Sequence, residues 1–201
     1  MANRYQPPCV TTDRTVMLDV SANRAARKWT RREMAGRILW GVAEPLFRFS
    51  PRPLWGWRRW MLRVFQAEIG RNVHLHPSVR ITIPWNLSIG DAAAIGDGVT
   101  LYALGKIRIG ARATVSQGAH LCAGTHDWRA STMPLLKLPI YVGDEVWVCA
   151  EAFIGPGVSL GDRSVIGARA VAMRDVPVDA VVAGNPARVV SHRTPADRAM
   201  D

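Results

Sequence analysis

The chain has 201 residues, of which 48% are hydrophobic and 21% charged, a balance that excludes a disordered polymer and fits one ordinary domain plus an extension. The formal net charge of +10 is unevenly spread: residues 1–65 hold 13 Lys and Arg against 4 Asp and Glu, and residues 66–201 hold 13 against 12. No run of 18 uncharged apolar residues occurs, which argues against a transmembrane helix, and no nucleic-acid-binding motif accompanies the basic charge, so nucleic acid is not an expected partner.

The first residues, Met1 to Pro8, lack the basic-then-apolar order of a signal peptide. Three cysteines (Cys9, Cys122, Cys149) cannot form a paired framework and fit a reduced, cytoplasmic setting. Residues 1–30 show no clear period. Residues 31–49 predict an amphipathic helix ending near Pro45 or Pro51. Over 54–65 the helical pattern is sharper. Leu54, Trp57, Trp60, Met61, Val64 and Phe65 share one face, flanked by Arg58, Arg59 and Arg63. The first third also holds five of the eight tryptophans (Trp29, Trp40, Trp55, Trp57, Trp60), so its basic charge is laced with aromatic surface. Two compatible readings follow. The Trp face packs on the open end of the domain that follows, and the Arg side meets an anionic lipid surface, giving peripheral contact with the inner face of a membrane.

From residue 69 a period of six appears. Aliphatic residues recur at Ile69, Leu75, Ile81 and Leu87, then after a two-residue slip at Ile89, Ile95 and Leu101, and after a second slip at Ile109, Val115 and Leu121. The series resumes at Val142, Val148, Ile154, Leu160 and Ile166, and Gly follows the aliphatic residue in eight units. Two positions earlier the residue is small or apolar in most units, as at Ala93, Val99, Ala113, Ala119, Ala152 and Ala170. A period of six suits neither a helix nor a simple strand run. It suits short strands joined by tight corners, each unit stacking on its neighbours, with the aliphatic residue in a narrow shared core. Residues 127–141 break the period and are expected to leave the stack as an external loop, the kind of segment in which function concentrates. Past residue 176 a Gly184-Asn185-Pro186 turn separates apolar runs, and a polar tail closes the chain. The expected organisation is an extension over 1–65, a repeat domain over 66–176 with its loop, and a C-terminal segment over 177–201.

His126 stands where the repeat gives way to the loop. Histidine is a natural general base for a hydroxyl. Asp127 beside it has three readings: it orients His126, holds an acceptor, or caps the turn. Glu151 is a further candidate for orienting His126. His120 and His126 lie six apart, as a metal site on successive rungs would require, but a third ligand is missing from the pattern.

The repeat resembles that of the hexapeptide-repeat acetyltransferases. The segments Gly124-Thr125-His126-Asp127 and Ile140-Tyr141-Val142-Gly143-Asp144-Glu145-Val146-Trp147-Val148 resemble the catalytic region of the sugar O-acetyltransferases. Trp85 to Gly90, Ser116 to Ala119, Thr125 to Arg129 and Gly184 to Arg188 resemble the colanic-acid and exopolysaccharide branch. The resemblance covers roughly residues 50–193. It implies a mainly β fold, a left-handed parallel β-helix with an N-terminal helical extension and a protruding loop. It also implies a homotrimer, acetyl-CoA as cosubstrate with no metal, and transfer to a hydroxyl of a saccharide intermediate of surface polysaccharide. In that scheme His126 is the general base and an oxyanion donor lies near Ala150. Trp147 walls the pocket, Ala168 lets CoA approach the backbone, and Arg188 lies near the adenosine phosphates. Arg169 and Arg174 are weaker candidates for the same region. The acceptor side is expected at Tyr102, Asp127 and Trp128. The rung Leu101 to Gly105 departs from the sugar-acetylating pattern, because Tyr102 is its one obvious polar side chain where relatives often carry a carboxylate or amide. Transfer to the amine of a nucleotide aminosugar, a zinc carbonic-anhydrase-like site and a non-catalytic β-helix are the alternatives.

Overall fold

The computed structural model describes residues 17–194, and the expectations for residues 1–16 and for the tail from 195 onward lie outside that range. Three helices come first: α1 (Val20–Ala25), α2 (Arg31–Arg48) and α3 (Trp55–Val64). A capping box starts α2, with Thr30 and Glu33 exchanging side-chain-to-backbone hydrogen bonds. The helix runs through Pro45 rather than stopping there.

The remainder is a three-faced left-handed β-helix of very short parallel strands. The first face stacks Glu68–Ile69, Leu87–Ile89, Ile107–Ile109, Ile140–Val142 and Ser159–Leu160. The second stacks His74–Leu75, Ala94–Ile95, Thr114–Val115, Trp147–Val148, Val165–Ile166 and Ala180–Ala183, with Arg188–His192 folding back antiparallel on the last of these. The third stacks Arg80–Ile81, Thr100–Tyr102, His120–Cys122, Phe153–Ile154 and Val171–Ala172. Register links Glu68 to Ser88, Ser88 to Arg108 and Arg108 to Tyr141 along the first face. Every aliphatic residue of the six-residue series is buried, so the repeat expected from sequence is the repeat that forms the core.

The corners explain the rest of the pattern. Between the first and second faces, Asn72, Ala92, Arg112, Glu145, Arg163 and Asp179 all adopt left-handed φ, from 54° to 62°. Gly90 precedes one such corner because a Cβ there would meet the Ala111 nitrogen at 2.6 Å. The following Asp91 accepts the Arg71 N–H at 2.8 Å through Oδ1, and Asp144 and Asp162 do the same for Ala111 and Asp144. Gly-Asp is therefore a corner device, glycine for close approach and aspartate for an amide of the neighbouring coil. The corner between the third and first faces carries the two-residue slips: Ile81 to Ile89 and Leu101 to Ile109 are eight apart, where Ile154 to Leu160 is six. The loop departs from this longer corner, between Leu121 and Val142.

Each coil's N–H groups donate to the next coil's carbonyls, as Gly70 does to Ile89 and His74 to Ala93. The first coil's carbonyls therefore have no earlier coil to serve them. Side chains of α2 and α3 do so instead: Arg63 to Ile69 (2.7 Å) and Gly70 (2.9 Å), Arg59 to Val73 (3.0 Å), Arg58 to Leu75 (2.6 Å) and Trp40 to Ile81 (2.8 Å). This overturns part of the expected polarity of α3: Met61 and Phe65 of the expected face pack inward, but Leu54, Trp57, Trp60 and Val64 are exposed. Arg58 is buried with Met61 and Leu62, and Arg59 and Arg63 reach the coil end from its rim, while Trp57 and Trp60 stack on each other, exposed, with centroids 5.1 Å apart. The end of a parallel β-helix offers carbonyls as well as apolar surface; a guanidinium brings several donors to them, where an indole such as that of Trp40 brings one.

Candidate active site

The loop begins as a two-stranded hairpin in which Thr125–His126 pairs antiparallel with Leu135–Leu136. His126 is exposed, and its Nδ1 lies 2.7 Å from the Met133 carbonyl oxygen. A carbonyl only accepts, so Nδ1 carries the proton, and in the neutral ring Nε2 keeps its lone pair. Met133 holds this carbonyl from a left-handed conformation, φ 42°, which costs a non-glycine residue about 1 kcal/mol. A net hydrogen bond contributes a similar ~1 kcal/mol, so the bonds to that oxygen offset the strain. Asp127 caps the turn. Its Oδ1 accepts the Arg129 N–H at 3.0 Å and its own N–H donates to Pro134, closing the turn rather than supporting the imidazole.

The N-terminal segment lies over this loop. Asp19 caps α1 through Ala22 N–H, and its own N–H donates to the Ser131 carbonyl at 2.9 Å. Asn23 donates from Nδ2 to the carbonyls of Thr132 and Met133, both at 2.6 Å. Farther along, Lys137 sits 3.9 Å from the Trp29 ring centre and donates to the Lys28 carbonyl. A cavity of about 210 Å³ opens between segment and loop, lined by residues that include Leu18, Asp19, Asn23 and His126. Sequence patterning offered no sign of α1, because six residues without a buried side chain carry no period to read.

The other expected site residues lie elsewhere on the prism. Trp147, on the second face, is half-exposed and donates from Nε1 to Ser116 Oγ at 2.9 Å. Ala150 and Ala168 stack at the corner between the second and third faces, where the Arg169 N–H donates to the Ala150 carbonyl. Among the described residues, the Ala150 N–H donates to no acceptor. Arg169 Nε pairs with Glu151 at 2.5 Å, and the guanidinium holds the Glu151 carboxyl below the usual carboxylate range. Glu151 is thus engaged away from His126. Arg188 is exposed at the start of the antiparallel return strand, and Arg174 is exposed beyond the third face. Trp128 is exposed under the Arg129 guanidinium, and Tyr102 is partly exposed on the third face, its ring edge-on to His120.

His120 and His126 are not equivalent. His120 stays in the stack, in register with Thr100 and Phe153, whereas the longer corner carries His126 out onto the hairpin. Among the described residues no three His, Cys, Asp or Glu side chains converge as a metal site would need.

A prism of stacked coils, broken once by a loop that presents a tautomer-fixed histidine, is the architecture of a hexapeptide-repeat acyltransferase. No protein-family model matches the chain. It is 43% identical over 157 residues to WcaF of Escherichia coli (strain K12), named as a colanic acid biosynthesis acetyltransferase, covering 78% of this chain and 86% of WcaF. A hexapeptide-repeat acetyltransferase from Vibrio cholerae solved with acetyl-CoA superposes with a TM-score of 0.77 at 24% identity, covering 84% of this chain and 92% of that one. A galactoside acetyltransferase solved with CoA also gives 0.77, at 23% identity over 89% of this chain and 91% of its own. These two likenesses carry the fold. The chain belongs to the family of WcaF, the hexapeptide-repeat acetyltransferases, and is an acyltransferase.

Proposed function

We propose that the protein moves the acetyl group of acetyl-CoA to a hydroxyl of a saccharide intermediate of surface polysaccharide, with His126 as general base. The observation that carries this reading is the 2.7 Å bond from His126 Nδ1 to the Met133 carbonyl, which leaves Nε2 as the acceptor for a hydroxyl proton. The acceptor oxygen attacks the thioester carbon as its proton passes to Nε2. Charge develops on the thioester oxygen, and the open Ala150 N–H is a fitting donor to it. The C–S bond then breaks, and the imidazolium returns its proton to the leaving thiolate. The WcaF name supports a saccharide acceptor.

His126 leaves one corner of the prism, while Trp147, Ala150 and Ala168 gather at and beside another. A cleft that uses both groups is completed by a neighbouring chain, which supports a homotrimer with Arg188 and Ala168 on the CoA side and Tyr102, Asp127 and Trp128 around the acceptor. No described helix is long and apolar enough to cross a membrane. Yet α2 is apolar on two opposite sides: Trp40 and Phe47 are buried, while Ile38, Val42, Leu46 and Phe49 are exposed. With Trp57 and Trp60 beside them, and Arg31, Arg48 and Arg52 exposed around them, these residues form a surface suited to anionic lipid.

The test is thiol release from acetyl-CoA against a panel of nucleotide sugars, lipid-linked sugars and free oligosaccharides. Mass spectrometry of the product should show an alkali-labile ester. His126→Ala should lower kcat by roughly 10²–10⁴-fold with little change in KM for acetyl-CoA. Wild-type turnover in that variant, or an alkali-stable amide product, would overturn the reading.

A further inference from the structure

The Met133 carbonyl oxygen takes two donors from two distant parts of the chain. One is His126 Nδ1 at 2.7 Å, across the hairpin. The other is Asn23 Nδ2 at 2.6 Å, from α1, 110 residues earlier in the sequence. We propose that Asn23 is a positioning residue for the base: by fixing the direction of the Met133 carbonyl, it holds His126 in the Nδ1–H tautomer that leaves Nε2 free. This rests on the reading of His126 as general base.

Three features point to this role. The same amide nitrogen also donates to Thr132 at 2.6 Å, so two successive carbonyls are clamped together and the peptide plane between them is fixed. Met133 is the one described loop residue from 127 to 139 with positive φ. Its carbonyl direction therefore comes from a sparsely populated backbone state that needs outside support. The Asn23 amide is itself oriented. Lys28 Nζ donates to Oδ1 at 2.8 Å, which assigns the oxygen to the lysine side and the NH₂ to the loop. The α1 helix buries no side chain, so its seat on the loop depends on such polar contacts rather than on packing. Those contacts complete the support of the imidazole. The cavity between α1 and the loop is lined by both Asn23 and His126.

The isosteric change Asn23→Asp removes both donations while keeping the side-chain shape and the contact with Lys28. Asn23→Ala removes the side chain altogether. Long-range proton–nitrogen NMR of the full chain at pH 8 reads the tautomer of His126 directly, assigned by comparison with His126→Ala. In the wild type Nε2 should resonate as an unprotonated nitrogen. In both Asn23 variants the signals should move toward the exchanging mixture of a free imidazole. Thiol-release kcat should fall at least tenfold, with KM for acetyl-CoA within twofold. Lys137→Ala, which loosens the N-terminal segment at the Lys28 carbonyl without touching Asn23, should leave the tautomer unchanged. A wild-type tautomer in Asn23→Asp and Asn23→Ala would overturn the assignment, and so would an equal shift in Lys137→Ala, which would mark simple docking. The tautomer is read without turnover. A tautomer shift in the Asn23 variants alongside an active His126→Ala would leave the positioning intact and remove the base assignment instead.

Discussion

The Nε of Arg58 donates to the Leu75 carbonyl at 2.6 Å from a side chain that is fully buried. Its terminal nitrogens reach Ser50 Oγ at 2.8 Å and the carbonyls of Pro51 and Arg52, so one guanidinium ties the α2–α3 connection to the first coil. A buried cation persists here because several of its donors have acceptors, and burial still pushes its pKa below the usual arginine value. Arg58→Met keeps much of the volume but strands the Leu75 carbonyl. We expect a loss of about 3 kcal/mol in chemical denaturation. Arg58→Lys should recover little, because an ammonium cannot span the same acceptors. A midpoint unchanged in both variants would show that the first coil is capped by other means.

His120 supplies a pH-dependent element of stability. It lies between Tyr102 and Phe153, and its Nε2 is buried without a partner among the described residues. Burial pushes its pKa below the ordinary histidine value, and burial does the same, as the largest cause, for His76. The unfolded chain then binds protons more readily than the folded one. Stability is full above about pH 6.5 and declines as pH falls from there toward the depressed folded values. Thermal melts from pH 7.5 to 5 should show Tm falling, and His120→Gln should flatten part of that decline. A slope identical to wild type would remove His120 from the account.

Much of this fold is legible from one face of the repeat. Ile69 through Ile166 mark the core because every strand of the stack points at least one aliphatic side chain inward at the same place in its six-residue unit, and a six-residue spacing has no competing explanation. The slips before Ile89 and Ile109 even mark the corner from which the loop leaves. The orientation of α3 was not legible. Its amphipathic pattern separates Trp from Arg correctly, but the pattern cannot tell which side a coil end full of unserved carbonyls selects. His126 could be singled out by its place at the end of the regular series. Its partner could not, since Met133 contributes a backbone oxygen and Asn23 belongs to a helix too short to announce itself.

The outward side of α2 should bind lipid. Val42 is 73% exposed and Phe49 88%, on a helix whose opposite side is already packed. Changing Val42, Phe49 and Trp60 together to Glu removes apolar surface and adds charge that anionic headgroups repel, without touching the core. Co-sedimentation with phosphatidylglycerol vesicles should fall at least tenfold. Binding of the wild type should weaken in high salt and on phosphatidylcholine alone. Unchanged vesicle binding would rule this surface out, and a changed oligomeric state in the triple variant would assign it to contacts between chains.

Separation of His126 from Ala150 and Ala168 on the prism gives a test of the shared cleft that does not depend on a crystal. Ala168→Tyr places a ring where CoA is expected to approach the backbone. It should raise KM for acetyl-CoA roughly tenfold or more, the scale of an overpacking penalty of 1–3 kcal/mol. His126→Ala should abolish turnover with the cosubstrate side intact. If each cleft draws the imidazole from one chain and the small corner residue from its neighbour, co-refolding the two variants in equal amounts creates clefts in which both are wild type, about a quarter of the total in a randomly mixed cyclic assembly. At acetyl-CoA concentrations too low for Ala168→Tyr, the mixture should then regain about a quarter of wild-type thiol release. A site contained within one chain can regain nothing by mixing, so activity no greater than the average of the two separate variants would exclude the shared cleft.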